Sequence, residues 1–515
     1  MKIKSITLKN FRGYNRETTI SFDNLTAFVG RNDIGKSTIL EALDIFFNDG
    51  KGIVKMDKSD LNVEAKKHGD TEISITVRFD DLPGSIVIDS ACETTFSSEY
   101  LLNPDGLLEI TKRYPNGGNA KVFIRAQHPT NPACAALLQK KDSELRTIIE
   151  GAGIVCNDRS NNPSMRAAIW QHYANDLRLS TVEIEVTKSN TKSIWERLQN
   201  YLPIYSLFQA DRKNSDGDSE VQDPLREAVK AILQNGELRK KLDEVAEAVV
   251  NELQDVSGRT LQKLKIMSPD TAQTLTPVIP DASSLKWADV FKSVAITSDD
   301  NIPVNKRGSG VKRMILLSFF QAEVERRRSI DSSNSIIYAI EEPETAQHYA
   351  SQKKLVSALL ELADTTNTQV ILTTHSATIV KSLEFDIIRL IRMVQEKPVI
   401  ENVPPCLLPY PSLNEVNYLA FDEITTEYFD ELYGHIMEQH WFNAYKQGKT
   451  CVQYNQLQND GTLKLKQMIK TEYIRNQIHH PENKNNPWFN DQELHDAIIE
   501  MRDFIQVQTA TSAGQ

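Results

Sequence analysis

The segment that most constrains this chain is Gly30-Arg31-Asn32-Asp33-Ile34-Gly35-Lys36-Ser37, which matches the pattern GxxxxGK[ST]. It follows the apolar run at 25–29 and opens the apolar-periodic stretch 37–47, so the order is strand, glycine loop, helix. In this context the glycines let backbone N–H groups turn toward phosphate groups, and the helix presents its positive N-terminus to them. The segment therefore predicts a nucleotide site on an α/β fold.

Each part of this loop has an expected role. Lys36 is expected to reach the β- and γ-phosphates of ATP, and Ser37 is expected to bind Mg²⁺. The predicted ATP-binding residues of the loop are Gly30, Arg31, Asn32, Asp33, Ile34, Gly35, Lys36, Ser37 and Thr38.

A second motif lies far downstream, where the apolar run 336–340 ends in the acids Glu341 and Glu342. An apolar strand that ends in two acids is typical of a Walker B motif. Glu341 is expected to bind Mg²⁺, and Glu342 is expected to act in catalysis by polarising the attacking water. Because 342 − 36 = 306 positions separate Lys36 from Glu342, the sequence predicts a nucleotide-binding head that is split by an insertion.

With these motifs the sequence resembles the ABC-type ATPases, especially their RecF/SMC-like and OLD-like branch. The run Arg307–Arg313 resembles that branch's signature motif, which implies that Ser309 and Gly310 cap the γ-phosphate of ATP held by a second copy. Glu341-Glu342-Pro343-Glu344-Thr345 is typical of the branch, with glutamate where many ABC proteins have aspartate. Thr373-Thr374-His375-Ser376 resembles the switch loop, which implies a catalytic contact between His375 and the γ-phosphate.

The resemblance implies a fold class and a set of partners. The expected fold is an α/β ABC-type P-loop head, a mixed sheet with helices, which an α+β and helical insertion splits and a mostly helical C-terminal region follows. ATP and Mg²⁺ are the implied cofactors. A signature that acts in trans implies a homodimer or a higher homo-oligomer with ATP between the heads.

We divide the sequence into five segments. They are an N-terminal head lobe (1–90), an α+β insertion (91–220), a short helical hairpin insertion (221–294), a C-terminal head lobe (295–395) and a mostly helical C-terminal region (396–515). Within them, patterning predicts strands at 71–79, 84–89, 107–113, 121–125 and 203–209, helices over 224–265 and 311–328, a mixed and mostly helical stretch at 133–200, a linker at 398–411 and disorder from about Val507.

Composition limits the partners. The sum of 59 basic and 70 acidic residues gives a net charge of −11, so any contact with nucleic acid must be a local patch. One candidate patch comprises Lys312, Arg313 and Arg326–Arg328, for which a solvated basic helix is an equal alternative. No run of 18 apolar residues exists, which predicts no membrane contact. Five scattered cysteines without a CxxC pair fit the cytoplasm.

Two further stretches leave alternatives open. After the strand at 203–209, Asp211 and Arg212 could line the nucleotide, or they could be a solvated strand end. In the C-terminal region, Arg475 and His480 match the Rx4H pattern of HEPN ribonucleases, in which histidine acts as acid or base and arginine stabilises phosphate charge. Docking or structural use of this pair, and metal binding, are the alternatives.

The acidic pattern of a Toprim-like nuclease, which OLD nucleases carry, is not found after residue 390. We therefore expect the ATPase of that family without its nuclease. The chain resembles ATPase subunits of prokaryotic anti-phage systems such as the Septu (PtuA) and PARIS (AriA) types. This resemblance implies a sensor or switch that controls a separate effector and answers a phage-encoded trigger. A HEPN-like ribonuclease toxin, a RecF-like DNA-repair ATPase and a scaffold without ATPase chemistry are the alternatives.

Overall fold

The computed structural model describes residues 1–209, 236–251, 335–344, 349–394, 397–402, 407–408, 412–458 and 461–513, except for positions 33, 50, 51, 90, 91, 189, 190, 239, 249 and 250. Two compact units divide the chain. The first unit comprises Met1–Leu25 and Leu40–Ile371, and the second comprises Thr26–Ile39 and Leu372–Gln515. Among the described helices, none has the length and apolar character needed to cross a membrane.

Fourteen strands are numbered in chain order within the described residues. They are β1 Lys2–Lys9, β2 Thr18–Ser21, β3 Leu25–Val29, β4 Glu72–Asp80, β5 Leu108–Pro115, β6 Lys121–Pro129, β7 Leu179–Glu185, β8 Ile204–Phe208, β9 Ile336–Glu341, β10 Thr368–Thr374, β11 Ile388–Val394, β12 Lys397–Asn402, β13 Cys451–Leu457 and β14 Leu463–Ile469. The α-helices are Lys36–Asn48 (α1), Val63–Lys67, Asp142–Gly151, Asn162–His172, Lys192–Leu198, Tyr349–Ala363, Ala377–Val380, Leu413–Phe421, Thr426–Glu438, Phe442–Tyr445, Lys470–His479 and Asp491–Ala513.

An antiparallel sheet of six strands belongs to the first unit and has the order β2-β1-β4-β5-β6-β7. Side chains in β4 alternate between buried and half-buried positions, because successive residues of a strand point to opposite faces. The register pairs Ile6 with Val77 and Val77 with Ile110, so three buried aliphatic side chains lie side by side. The sheet thus combines three strands of the predicted N-terminal head lobe, β1, β2 and β4, with three strands of the predicted insertion, β5, β6 and β7.

The second six-stranded sheet has the order β12-β11-β3-β10-β9-β8. Within the first unit β8 pairs in parallel with β9, and within the second unit β3 pairs in parallel with β11. Strands β3 and β10 are buried along their whole length, as expected for parallel strands that are covered on both faces. The predicted α/β head with mixed sheets and helices is confirmed.

The C-terminal end of α1 is fixed by a buried lysine of the antiparallel sheet. Lys112 is 1% exposed, and its Nζ donates to the carbonyl oxygen of Phe46 at 2.6 Å and pairs with Asp49. A cation at this position satisfies a carbonyl that the helix itself leaves without a partner. The sheet therefore holds the helix that the glycine loop opens.

A buried ion network stabilises the insertion. Arg166 is 1% exposed and donates to both carboxylate oxygens of Glu99, at 2.7 and 2.9 Å, and it also pairs with Asp89. Removing one member would leave a buried charge without its partner, which costs about 3–5 kcal/mol. The network joins the helix Asn162–His172 to the segment that follows the antiparallel strand β4.

The C-terminal region is mostly helical, as predicted, and its helices Thr426–Glu438 and Asp491–Ala513 share one core. The strands β13 and β14 form a hairpin in this region that the sequence analysis did not predict. The prediction of disorder from Val507 is wrong over the described positions, because the helix continues to Ala513 above the buried Ile505.

Two other local predictions are wrong. Residues 84–89 form no strand, because Ile86 makes only an isolated bridge to Thr94 and the N–H of Val87 donates to the Tyr201 hydroxyl. The predicted linker at 398–411 begins instead as the strand β12, which pairs antiparallel with β11. Pro398 fits there because β12 is an edge strand.

Most remaining predictions agree with the described residues. Strands occupy 72–80, 108–115, 121–129 and 204–208, and helices occupy much of 133–200, where β7 was not predicted. Positions 236–238 and 240–248 are helical, within the predicted stretch 224–265. The helix predicted at 311–328 lies outside the described residues. The division into five segments stays a prediction.

Candidate nucleotide-binding site

The glycine loop is shaped by two glycines, each for a different reason. A Cβ on Gly30 would lie 2.6 Å from the carbonyl oxygen of Ile391, a backbone atom that cannot swing away. Gly35 has a φ of +99°, a conformation that residues with a side chain rarely adopt. Together they allow the chain to leave the buried strand β3 and turn directly into α1.

Lys36 is the first residue of α1 and is only 4% exposed. Its Nζ donates to the carbonyl oxygens of Gly30, at 2.7 Å, and Arg31, at 2.6 Å. These bonds fix the ammonium group beside the loop, at the N-terminus of a helix, which is the end that favours an anion. The arrangement gives a positively charged cradle of the kind that holds phosphate groups.

The other loop residues occupy different environments. Arg31 and Asn32 are exposed, Ile34 is buried, and Ser37 and Thr38 are half-buried on the first turn of α1. Asp33 lies outside the described residues. The hydroxyl of Ser37 is thus on the turn that the loop opens, as the motif requires.

An ion pair links the loop to the C-terminal region within the second unit. The Nη1 of Arg31 lies 3.0 Å from Oδ2 of Asp422, and both side chains are exposed. Asp422 ends the helix Leu413–Phe421 in the left-handed conformation, with φ of +54°. No local sequence pattern marks Asp422 as a neighbour of the loop, because the two lie far apart along the chain.

The acidic strand lies in the first unit. Strand β9 is buried up to Ile340 and ends at the half-buried Glu341. The next residue, Glu342, has a φ of +41°, a strained conformation for a residue with a side chain. Such strain costs about 1–3 kcal/mol and is concentrated at functional sites. One acidic side chain therefore ends a rigid strand and a second follows it at a position where the backbone turns sharply.

The charges around this strand affect the pKa of a buried tyrosine, Tyr205. Tyr205 on β8 donates from its hydroxyl to the carbonyl oxygen of Leu40 at 2.7 Å. Burial raises its pKa well above the usual value, and the nearby carboxylates of Asp44, Glu341 and Glu41 raise it further. The hydroxyl therefore stays protonated and keeps its bond to α1, while Glu341 lies close enough to the acids of α1 to act on the same group.

A second group of charged residues borders α1 and was not predicted. Arg12 donates from Nε to Asp60 at 2.8 Å and pairs through Nη1 with Glu41. Gln209, which follows β8, donates to the other oxygen of Glu41 at 3.5 Å. Arg12 lies in a turn with φ of +48°, which no periodicity signals. Asp211 and Arg212 lie outside the described residues, so their alternatives stay open.

His375 directly follows the buried strand β10 and is itself exposed. The backbone around it is fixed, because the N–H of Ser376 donates to the Thr374 hydroxyl at 3.0 Å and the Ser376 hydroxyl caps the helix Ala377–Val380. The loop therefore presents an exposed imidazole from a rigid backbone. Its role at the γ-phosphate stays a prediction.

Within the described ranges, Arg475 and His480 of the proposed ribonuclease pair contact different residues. The guanidinium of Arg475 lies 6.0 Å from the ring of Tyr433, whereas His480 pairs with Glu482 at 3.2 Å. The adjacent His479 pairs with Asp430 at 3.2 Å. These contacts suit a structural use of the three residues, and a catalytic role for Arg475 and His480 stays a prediction.

Several predicted residues fall outside the described part of the chain. They are Asp33, Asp211, Arg212, the signature-like run Arg307–Arg313 with Ser309 and Gly310, Arg326–Arg328, and Thr345.

The comparisons with known proteins agree with the motifs. The family model of the AAA ATPase domain matches residues 1–380. Endonuclease GajA of Bacillus cereus (strain VD045) is 23% identical over 408 residues, which cover 78% of this chain and 59% of that protein. The OLD nuclease of Thermus scotoductus (strain ATCC 700910 / SA-01) is 23% identical over 408 residues, 77% of this chain and 63% of that protein.

This chain therefore spans less than two thirds of the length of each of these relatives. Among solved structures, the SMC head domain from Thermotoga maritima is 13% identical with a TM-score of 0.31, over 78% of this chain and 100% of that chain. The family match covers 380 of 515 residues, and the motifs identified in the sequence lie within it up to the loop at His375. The chain belongs to the AAA ATPase domain family.

Proposed function

We propose that this chain binds ATP with Mg²⁺ at the glycine loop and hydrolyses it with the acids that follow β9. The observation that carries the proposal is the position of Lys36, whose nearly buried ammonium group is fixed beside the loop by two carbonyl oxygens. In this account Lys36 contacts the β- and γ-phosphates, Glu342 polarises the attacking water, and His375 contacts the γ-phosphate.

The oxygen donors near these elements fit Mg²⁺, which prefers hydroxyl, carboxylate and phosphate oxygens. Ser37 offers a half-buried hydroxyl on the first turn of α1, and Glu341 offers a carboxylate at the end of a buried strand. These two residues would hold the ion, which neutralises charge on the phosphates. The chain's own contribution is to orient the nucleotide and the water.

We further propose that two copies assemble with ATP between their heads. The support is the signature-like run with Ser309 and Gly310, which in the resembling family caps the γ-phosphate in trans. A head with only its own glycine loop would then be half a site, and ATP would stabilise a homodimer or a larger homo-oligomer.

The proposed biological role is a sensor or switch in prokaryotic anti-phage defence that controls a separate effector protein and answers a phage-encoded trigger. Support comes from the resemblance to ATPase subunits of such systems and from the similarity to endonuclease GajA and OLD nuclease. The proposed location is the cytoplasm, because all four cysteines in the described ranges, Cys92, Cys134, Cys156 and Cys451, are free thiols.

A nuclease within the chain itself is the second candidate function. The relatives' names, endonuclease and nuclease, favour it, and the C-terminal pair Arg475 and His480 would be its nearest chemical basis. The contacts of these two residues with Tyr433 and Glu482 do not require catalysis.

One experiment separates the two candidates. The purified protein is incubated with labelled DNA and RNA, with and without ATP and Mg²⁺, beside Arg475→Ala/His480→Ala and Lys36→Met variants. The proposal predicts ATP hydrolysis that Lys36→Met abolishes and no cleavage of either nucleic acid. Cleavage by the wild type that the C-terminal double variant loses would instead place the effector in this chain.

A further inference from the structure

The hairpin of β13 and β14 forms a two-stranded sheet, and most residues of β14 are exposed. Its register pairs Asn455 with Leu465, Gln453 with Gln467 and Leu457 with Leu463. Its base is anchored by the buried cluster of Tyr454, Met468 and Tyr473. A pair of strands leaves two outer edges, and an unpaired edge is a template for another strand.

The outer edge of β13 is closed by asparagine side chains. The N–H of Asn455 donates to the side-chain oxygen of Asn486 at 2.7 Å. The carbonyl oxygen of Asn455 accepts from the side-chain amides of Asn483, at 2.8 Å, and Asn486, at 3.0 Å. These amides occupy the backbone groups that an incoming strand would use, so a partner strand cannot pair there.

Among the described strands, none pairs with the outer edge of β14. In an antiparallel pair of strands, two residues that face each other have the same orientation. Their backbone N–H and C=O groups point either toward the other strand or outward, in both residues alike. Since both backbone groups of Asn455 point outward, those of Leu465 point outward at the opposite edge, and so do those of Leu463 and Gln467 by the period of two. Within the described ranges, no hydrogen bond reaches these outward groups.

The side chains along β14 alternate in character. Leu463 and Leu465 are 51% and 57% exposed and share one face with Leu457, which is 41% exposed. Lys464 and Lys466 are exposed on the other face. Exposed apolar side chains that lie next to one another mark interaction sites more often than isolated ones do. The alternation of leucine and lysine favours a partner strand in which apolar residues alternate with negatively charged ones.

We propose that the open edge of β14 binds an extended strand of another protein in which apolar and acidic residues alternate. The strand's apolar side chains would pack beside Leu463 and Leu465, and its carboxylates would lie beside Lys464 and Lys466. A second copy of β14 fits poorly, because antiparallel pairing about Leu465 places Lys464 opposite Lys466 of the other copy. The proposal is independent of the nucleotide chemistry above.

The net charge of the chain restricts the attraction for an acidic strand to a small part of the surface. The whole chain carries a net charge of −11, so an acidic strand is repelled by the average surface and attracted only where lysines cluster. The two exposed lysines of β14 supply such a place, with no carboxylate on either strand of the hairpin.

The test uses the full chain and two labelled peptides of seven residues, the length of β14. One peptide alternates valine and glutamate, and the other alternates valine and lysine. We expect the glutamate peptide to bind about tenfold more tightly, from two favourable instead of two unfavourable cross-strand charge pairs. The charge-reversed variant Lys464→Glu/Lys466→Glu should reverse this preference. Equal binding of both peptides, or an unchanged preference in the variant, would overturn the proposal.

A second variant tests the edge itself. Leu465→Pro removes an outward N–H and leaves the ladder bonds to β13 intact, so it should abolish peptide binding while the thermal unfolding curve stays unchanged. Val155→Ser, which removes an 86% exposed apolar side chain elsewhere, is the matched control and should bind like the wild type. Displacement of the peptide by duplex DNA, or self-association that Leu465→Pro abolishes, would assign the edge to nucleic acid or to a second copy and overturn the proposal.

Discussion

The ammonium group of Lys36 lies 2.7 Å from the carbonyl oxygen of Gly30, so the first and the seventh residue of the glycine loop are joined across it. This bond depends on Gly30 having no side chain, because a Cβ there would meet the backbone of Ile391. The absence of a side chain at Gly30 therefore determines both the shape of the loop and the position of the Lys36 ammonium group.

Replacing Lys36 with methionine keeps the length of the buried stem and removes the charge. We expect ATP to bind about a hundredfold more weakly, because hydrogen bonds to charged groups contribute about 1.5–3 kcal/mol each. Isothermal titration with ATP and Mg²⁺ measures this loss. Lys192→Met removes a 67% exposed lysine and should leave the affinity unchanged. Wild-type affinity in Lys36→Met would contradict the assignment of the loop.

Gly30→Ala tests the close approach to Ile391. A Cβ at 2.6 Å from a backbone oxygen forces the strand or the loop to shift, which we expect to lower the free energy of unfolding by about 1–3 kcal/mol. Gly84→Ala is the matched control, because nothing lies within 4 Å of the added Cβ. Chemical denaturation of both variants makes the comparison. Equal stability of the two would show that the loop is not packed as described.

Glu342→Gly tests whether strain is retained for function. With φ of +41°, Glu342 occupies a conformation that glycine adopts freely, so the variant should be more stable than the wild type by about 1 kcal/mol. It should also lose ATP turnover, because the carboxylate is gone. Denaturation and phosphate-release assays measure the two effects. A glycine variant that still turns over ATP would remove Glu342 from the catalytic machinery.

His128 should make stability depend on pH. Burial lowers its pKa below the usual 6.5, the charge of Arg166 lowers it further, and only the carbonyl oxygen of Tyr100 opposes this shift. The folded protein therefore binds fewer protons than the unfolded chain below pH 6.5, and the stability that neutral His128 provides is lost as the pH falls.

We expect the wild type to lose stability between about pH 7.5 and 5.5 more steeply than His128→Gln, by up to about 1.4 kcal/mol per pH unit. Glutamine keeps a donor toward Tyr100 but does not titrate. Urea unfolding of both proteins across this range gives the slopes, and parallel slopes would mean that His128 titrates as it does in the unfolded chain.

The nucleotide motifs could be predicted because their signals are local. A buried strand, two glycines and the first turn of α1 lie within the single stretch 25–39, and β9 and its two acids lie within 336–342. Nothing in the local sequence indicates that Arg12 pairs with Glu41. The same holds for the pair of Asp422 and Arg31, because both contacts form only when distant segments pack.

The prediction of strands failed where a neighbouring segment determines whether a strand forms. Residues 84–89 have the right alternation, with Ile86 and Ile88 buried, but the backbone is bound by a tyrosine hydroxyl rather than by a neighbouring strand. Conversely β13 is rich in glutamine and asparagine, so its apolar contrast is weak, and its pairing with the alternating leucines and lysines of β14 makes it a strand. Pro398 favoured a linker because proline fits an edge strand but not a central strand. The position of a strand within its sheet cannot be read from the local sequence.

The central claim is that ATP held at this site brings two heads together, and the mass of the Glu342→Gln variant tests it most directly. Light scattering after chromatography is run with ATP and Mg²⁺ and without nucleotide, beside Lys36→Met. The account predicts that Glu342→Gln binds ATP without turnover and becomes a dimer or larger assembly only with ATP, whereas Lys36→Met does not respond. An unchanged turnover in Glu342→Gln, or a mass that is the same with and without ATP, would contradict it.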